Sequence, residues 1–166
     1  MKQMKGHFDN IRAEYAYEGE YEAFPGDEKD YERFRKTMYA FCMAFGLLVA
    51  AGGLTMAGRM SATSSVLIPF VLTVLCAVIC VYDVMRICGD GMQLKEKTVK
   101  VLLPAGKVMG ILIALSSAAG VITSLIVLIR YGTEGQTFPV VLYPVSAIIM
   151  AIIGGLFAFY IHRNTN

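Results

Sequence analysis

The chain has 166 residues, 56% of them hydrophobic and 17% charged, with a formal net charge of +2. A soluble domain of this size carries roughly 25% charged residues, so the composition argues against a water-soluble fold. The small net charge, with no basic cluster interleaved with aromatics, removes nucleic acid from the expected partners.

The polar residues are unevenly placed. Residues 1–36 hold nine of the thirteen acids and seven of the fifteen bases, and this stretch reads as a cytoplasmic N-terminal segment. It opens with "MKQMKGHFDN", which lacks the apolar core of a secretory signal and a Gly after the first Met. The C-terminal "HRNTN" has no prenylation Cys. Membrane attachment is therefore expected from the chain itself.

Within the segment, "IRAEYAYEGEYEAF" (11–24) alternates aromatic and acidic residues on either side of Gly19. Alternation about a glycine predicts a small β-hairpin, against the alternative of a solvated acidic arm. A lone hairpin is marginal in water, so it should pack on something. "TVKVLL" (98–103), with its β-branched residues, is the expected strand partner in a small cytoplasmic layer. A helix is expected from residue 27, where Asp27 follows the Pro25-Gly26 turn and acids crowd the first turn. Tyr31, Phe34, Met38 and Phe41 recur at helical spacing, so this helix runs into the first membrane span. Arg33, Arg35 and Lys36 then meet the headgroups, as ordinary topology anchors or, alternatively, as an anionic-lipid site.

Residues 37–161 form the expected transmembrane domain. A bilayer core takes about 20 mostly apolar residues per helix, and four windows qualify: 37–58, 64–86, 108–130 and 138–161. The fold class is thus an all-α integral membrane protein of four transmembrane helices in two helical hairpins, with the small N-terminal cytoplasmic β-hairpin and a cytoplasmic central loop over 87–107. Thirteen Lys and Arg residues fall on the side of the N-terminus, the central loop and the 162–166 tail. Only Arg59 and Arg130 fall on the other. The positive-inside rule places both termini in the cytoplasm, with the cell membrane as the expected location.

The second and fourth spans align at an offset of 75, Val66-Leu67-Ile68-Pro69 against Val141-Leu142-Tyr143-Pro144. This pattern is compatible with a parallel tandem repeat or with chance. Both prolines are expected in the first turn at the outer ends, where the missing N–H costs little. Small residues recur every four positions in three spans: Gly46 with Ala50 and Gly53 with Ala57 in the first, Ser116, Gly120 and Ser124 in the third, and Ala147, Ala151 and Gly155 in the fourth. Such ridges let helix backbones approach in lipid, within one protomer or between subunits. The second span has no Gly before Gly89 and reads as the most lipid-facing.

Asp83 is the one acid inside a span, which makes it a candidate by default. Arg86 follows three residues later, and an interfacial ion pair is the competing reading. Asp83, Tyr82, Arg86, Ser116, Ser117 and Thr123 are the candidates for an ion or substrate path. Cys76 and Cys80 lie one turn apart and are weak candidates for a soft metal, with packing as the stronger reading for free thiols. No nucleophile, zinc-hydrolase or phosphate-cradling motif occurs. No catalytic residue is assigned and no cofactor is expected.

The expected function is a non-enzymatic polytopic membrane protein. It would be a small transporter or channel subunit, or an accessory or assembly protein with a cytoplasmic docking surface. An intramembrane enzyme or a thiol- or metal-handling protein is the alternative. The expected partners are the lipid bilayer, further copies of the chain or another membrane protein, and a cytoplasmic protein.

Overall fold

In hydrocarbon every backbone polar group must find its partner within the segment, which leaves the helix as the solution for long apolar runs. Each of the four windows is one helix. The computed structural model describes residues 21–23, 27–56, 62–89, 93–95, 98–132 and 137–165. In chain order these form β1 (Tyr21–Ala23), α1 (Glu28–Thr55), α2 (Ser64–Gly89), β2 (Gln93–Lys95), a π-helical turn (Thr98–Leu102), α3 (Leu103–Tyr131) and α4 (Thr137–Thr165). All four helices are long and apolar enough to cross a membrane. At 26 to 29 residues and 1.5 Å per residue they reach about 40 Å. That exceeds the roughly 30 Å hydrocarbon core, so their ends project into the headgroup region.

α1 starts where expected. Asp27 precedes it in extended conformation and accepts the Tyr31 N–H at 3.0 Å through its backbone carbonyl, while its side chain makes no cap bond. α3 ends at Gly132, whose φ of +67° is a conformation that suits glycine. Its N–H donates to the Leu128 carbonyl at 2.8 Å and closes the last turn.

The helices form a ring in which α1 packs on α2 and α4, and α3 packs on α2 and α4. The α3–α4 seam is the most extensive. Toward the end where α3 begins, the backbones touch. A Cβ on Gly154 would lie 2.9 Å from the Gly110 carbonyl oxygen and 3.0 Å from the Ala114 nitrogen, and one on Gly110 would lie 3.0 Å from the Gly154 carbonyl oxygen. Two apolar clusters fill the interior. The larger, at the loop end, gathers Tyr31, Phe34, Met38, Phe45, Ile87, Leu103, Ile113, Phe157 and Ile161. Phe157 meets Phe41 and Phe45 edge to face, with centroids 5.3 and 5.5 Å apart. Such pairs add about 0.5–1.5 kcal/mol each beyond area burial. Tyr31 also donates from its hydroxyl to the Cys88 carbonyl at 3.3 Å, tying the start of α1 to the end of α2. The smaller cluster, Val66, Val127 and Tyr143 with Phe70 against it, closes the opposite end.

Large apolar side chains cover the outside, among them Leu54 at 85% exposure and Ile129 at 83%. The buried set includes Thr73, Asp83, Ser116, Ser117 and Ser124. This inversion of the water-soluble pattern is what a polytopic membrane protein requires.

Several expectations are corrected. The hairpin over 11–24 is not supported: its first arm lies outside the described residues, and Tyr21–Ala23 pairs antiparallel with Gln93–Lys95 instead. Residues 98–103 are not a strand. They form the π-helical turn and the start of α3, because Pro104 is tolerated in a first helical turn and Leu103 is buried in the core. Pro69 and Pro144 lie inside α2 and α4 rather than in the first turn. The most lipid-facing helix is α1, whose apolar window is 17% buried against 28% for α2. Bulky side chains did not keep α2 outside, since its small and polar positions Thr73, Cys76, Ala77, Cys80 and Asp83 turn inward.

The small residues divide by face. Gly120 is buried with the Tyr143 hydroxyl 3.2 Å from where its Cβ would be, and Ala151 is half-buried. Gly46 and Gly155 are exposed with nothing near, Gly53 touches only the rim of Phe70, Ala50 is exposed, and Ala57 lies outside the described residues. The close approaches fall on Gly120, as expected, and on Gly52, Gly106, Gly110 and Gly154, which the spacing did not single out. Gly154→Ala is expected to destabilise the bundle by about 1–3 kcal/mol, because the contact is with backbone that cannot step aside. Gly46→Ala is expected to be neutral or slightly stabilising. Thermal unfolding of the two variants in detergent checks the contrast.

Candidate functional site

The bundle carries three polar features: a hydroxyl cluster between the apolar layers, Asp83, and the thiols of α2.

The cluster forms where α2 faces α3. Thr73 is buried because it follows Val66 by two helical turns on the inward stripe. Ser116 and Ser117 face it from α3. Thr73 Oγ1 lies 2.7 Å from Ser116 Oγ and 3.5 Å from Ser117 Oγ, and donates to the Pro69 carbonyl at 2.9 Å. Ser116 Oγ is also 3.2 Å from the Ile113 carbonyl. Each hydroxyl has one proton, so Thr73 and Ser116 cannot make all three bonds at once. The two shortest are made when Ser116 donates to Thr73 and Thr73 donates to Pro69. Beside them lies a cavity of about 20 Å3, also lined by Phe70, Tyr143 and Ser146, which is room for about one water. Ser146 donates to its own helix at the Tyr143 carbonyl, 2.8 Å away.

Chemically, this cluster is a neutral set of donors and acceptors. It can hold a water or position a small hydrogen-bonding group. Asp83 lies ten residues along α2 from Thr73, about 15 Å at 1.5 Å per residue.

Asp83 itself faces the interior at 7% exposure. Arg86 points the other way. Its guanidinium sits 5.6 Å from the centroid of the Tyr82 ring, a cation–π geometry, and Tyr82 is 60% exposed. No salt bridge joins Asp83 to Arg86 among the described residues. The i,i+3 ion pair is therefore replaced by an i,i+4 stack on the outer face. Thr123 turns its hydroxyl onto its own helix, at the Ala119 and Gly120 carbonyls. Of the six path candidates, then, Ser116 and Ser117 converge on Thr73, Tyr82 and Arg86 meet on the outer face, and Asp83 and Thr123 join neither group. Thr73 is the partner the sequence reading missed, and its signal was a hydroxyl on the inward stripe of an otherwise aliphatic span.

Cys76 and Cys80 both face the interior, and Cys76, Cys80 and Cys88 are buried free thiols. Cys80 packs in the large apolar cluster with Val84 and Phe45. Among the described residues no group of three His, Cys, Asp or Glu side chains comes together as metal ligands would. No protein family, characterised protein or solved structure matches the chain, so the site is read from its own chemistry.

Removing the Thr73 hydroxyl with Thr73→Val is expected to cost about 1 kcal/mol of bundle stability, in line with interhelical hydrogen bonds in membranes. A double-mutant cycle with Ser116→Ala measures it. Coupling near zero would mean the two hydroxyls do not stabilise each other.

Proposed function

We propose that the chain is a non-enzymatic membrane component, an accessory or assembly subunit whose docking surface lies at the end carrying the termini and the β1–β2 pair. The observation that carries this reading is the filled interior. Met38, Phe45, Ile113 and Phe157 are fully enclosed in the larger cluster and Val66 in the smaller, and the cavity beside the hydroxyl cluster measures about 20 Å3. A single protomer packed in this way favours a structural role over a conduit. The neutral hydroxyl cluster, about 15 Å along the helix from Asp83, gives little support to the enzyme reading.

A second reading, a subunit of a transporter or channel, is favoured by one observation. Asp83 is a carboxylate inside an apolar span and turned to the interior, the usual signature of an ion or proton path. Proteoliposomes separate the two. The accessory reading expects ion and solute flux equal to protein-free vesicles, for the wild type and Asp83→Asn alike. A flux that Asp83→Asn abolishes would replace it with transport.

The orientation belongs to the same proposal. The bias of thirteen cationic residues to two supports cytoplasmic termini in the cell membrane. In intact cells, tags at either end should resist added protease. A Cys at the exposed Ala62, placed in a variant lacking the native thiols, should react with an impermeant maleimide. The opposite pattern would invert the topology.

A further inference from the structure

Between the first turns of α1 and the last turns of α4 lies a groove of about 460 Å3. Its floor is aromatic: Phe34 is buried, and its ring stacks on Tyr160 with centroids 6.0 Å apart and 15° between planes. Its walls carry two guanidinium groups, Arg33 and Arg163, with one carboxylate, Asp30, and the polar side chains of Thr37 and Asn164. Thr37 and Asn164 donate to carbonyls of their own helices, Arg33 and Tyr160. That leaves the two arginines as the groove's strong donors.

The neighbouring charge on α1 is already matched, since Lys36 Nζ pairs with Glu32 at 3.1 Å. Among the described residues no salt bridge engages Arg33 or Arg163. With Asp30 as the one acid in the walls, the groove carries a net charge of +1. Two guanidinium groups facing one cavity suit a phosphate, which accepts paired N–H bonds from such forks.

Depth narrows the source of that phosphate. Both helices change character at this level. On α1, Arg33, Arg35 and Lys36 give way to the enclosed Met38, and on α4 the enclosed Ile161 gives way to Arg163. Deeper along the same helices, Met43, Leu156 and Phe159 are exposed as lipid-facing apolar side chains are. The groove therefore opens at the level where headgroups meet hydrocarbon. Tyr160 fits that boundary, where aromatic residues with a polar tip gather.

We propose that this groove binds an anionic phospholipid with a polyol headgroup. Arg33 and Arg163 hold the phosphodiester, the Asp30 carboxylate accepts from headgroup hydroxyls, and the acyl chains run along the apolar flank. The site asks only that the chain lie in a membrane, so it stands or falls independently of the accessory reading.

The test is a titration of the purified full chain in detergent with phosphatidylglycerol and with phosphatidylcholine, read by native mass spectrometry. The expected result is retention of phosphatidylglycerol in preference to phosphatidylcholine. Arg33→Gln and Arg163→Gln should each weaken phosphatidylglycerol binding by about fivefold, the scale of one cation near an anionic lipid surface. Lys36→Gln should leave it unchanged. Arg33→Lys, which keeps the charge but loses the fork, should recover part of the loss and guards against a folding defect, as does the helical circular dichroism of each variant. Phosphatidic acid, which lacks headgroup hydroxyls for Asp30 to accept from, should be retained less than phosphatidylglycerol in the same titration, and Asp30→Asn should erase that difference. Equal retention of phosphatidylglycerol and phosphatidylcholine, or wild-type affinity in folded Arg33→Gln or Arg163→Gln, would overturn the proposal. So would displacement of the lipid by inorganic phosphate at matched concentration, which would assign the groove to a free anion.

Discussion

In water a helix pair is driven together by the apolar surface it hides, but in hydrocarbon that drive largely vanishes and close backbone approach takes its place. Here the approach is made between α3 and α4, where Gly110 and Gly154 set carbonyl against Cα with no room for a methyl group. The rest of the bundle is arranged around that seam. Gly106 lets Ile161 lie against α3 one turn away, and Phe157, on the turn after Gly154, reaches across to Phe41 and Phe45 of α1. The first helix is thus attached to the second hairpin through aromatic edges, while its own hairpin partner contributes less. The two hairpins of the sequence are not two independent packing units.

The same solvent explains the position of the polar groups. A hydroxyl facing lipid can satisfy itself on its own helix, as Thr55 and Thr123 do. A hydroxyl facing another helix can bridge to it, as Thr73 does to Ser116. A carboxylate has no intrahelical remedy, and Asp83 is turned inward rather than toward lipid, near the loop end of α2. Arg86 follows the complementary rule and lies over the Tyr82 ring on the outer face, as a long cationic side chain does when its head seeks the interface.

Much of the architecture was legible in the sequence. Four apolar windows became four helices, and the spacing of Tyr31, Phe34 and Met38 marked the inward face of α1 where it enters its apolar span. These succeed because span length and helical period are set by the bilayer and the backbone. The misses are of another kind. Gly46, Ala50, Gly53 and Gly155 fit a small-residue ridge as well as Gly110 and Gly154 do. Which ridge faces a neighbour depends on the rotation of each helix about its axis, and a four-residue spacing does not encode that rotation. Thr73 was passed over for the same reason, since its importance comes from Ser116 on another helix. The tract 98–103 looked like a strand because β-branched residues are also acceptable at the entry to a helix when a proline follows.

The pairing of Tyr21–Ala23 with Gln93–Lys95 has a consequence for biogenesis. The two strands flank the first hairpin, so the earlier one emerges from the ribosome long before its complement exists. Its pairing in the folded chain waits until both α1 and α2 have been translated. Closure of that clasp can follow only once the whole first hairpin has been made.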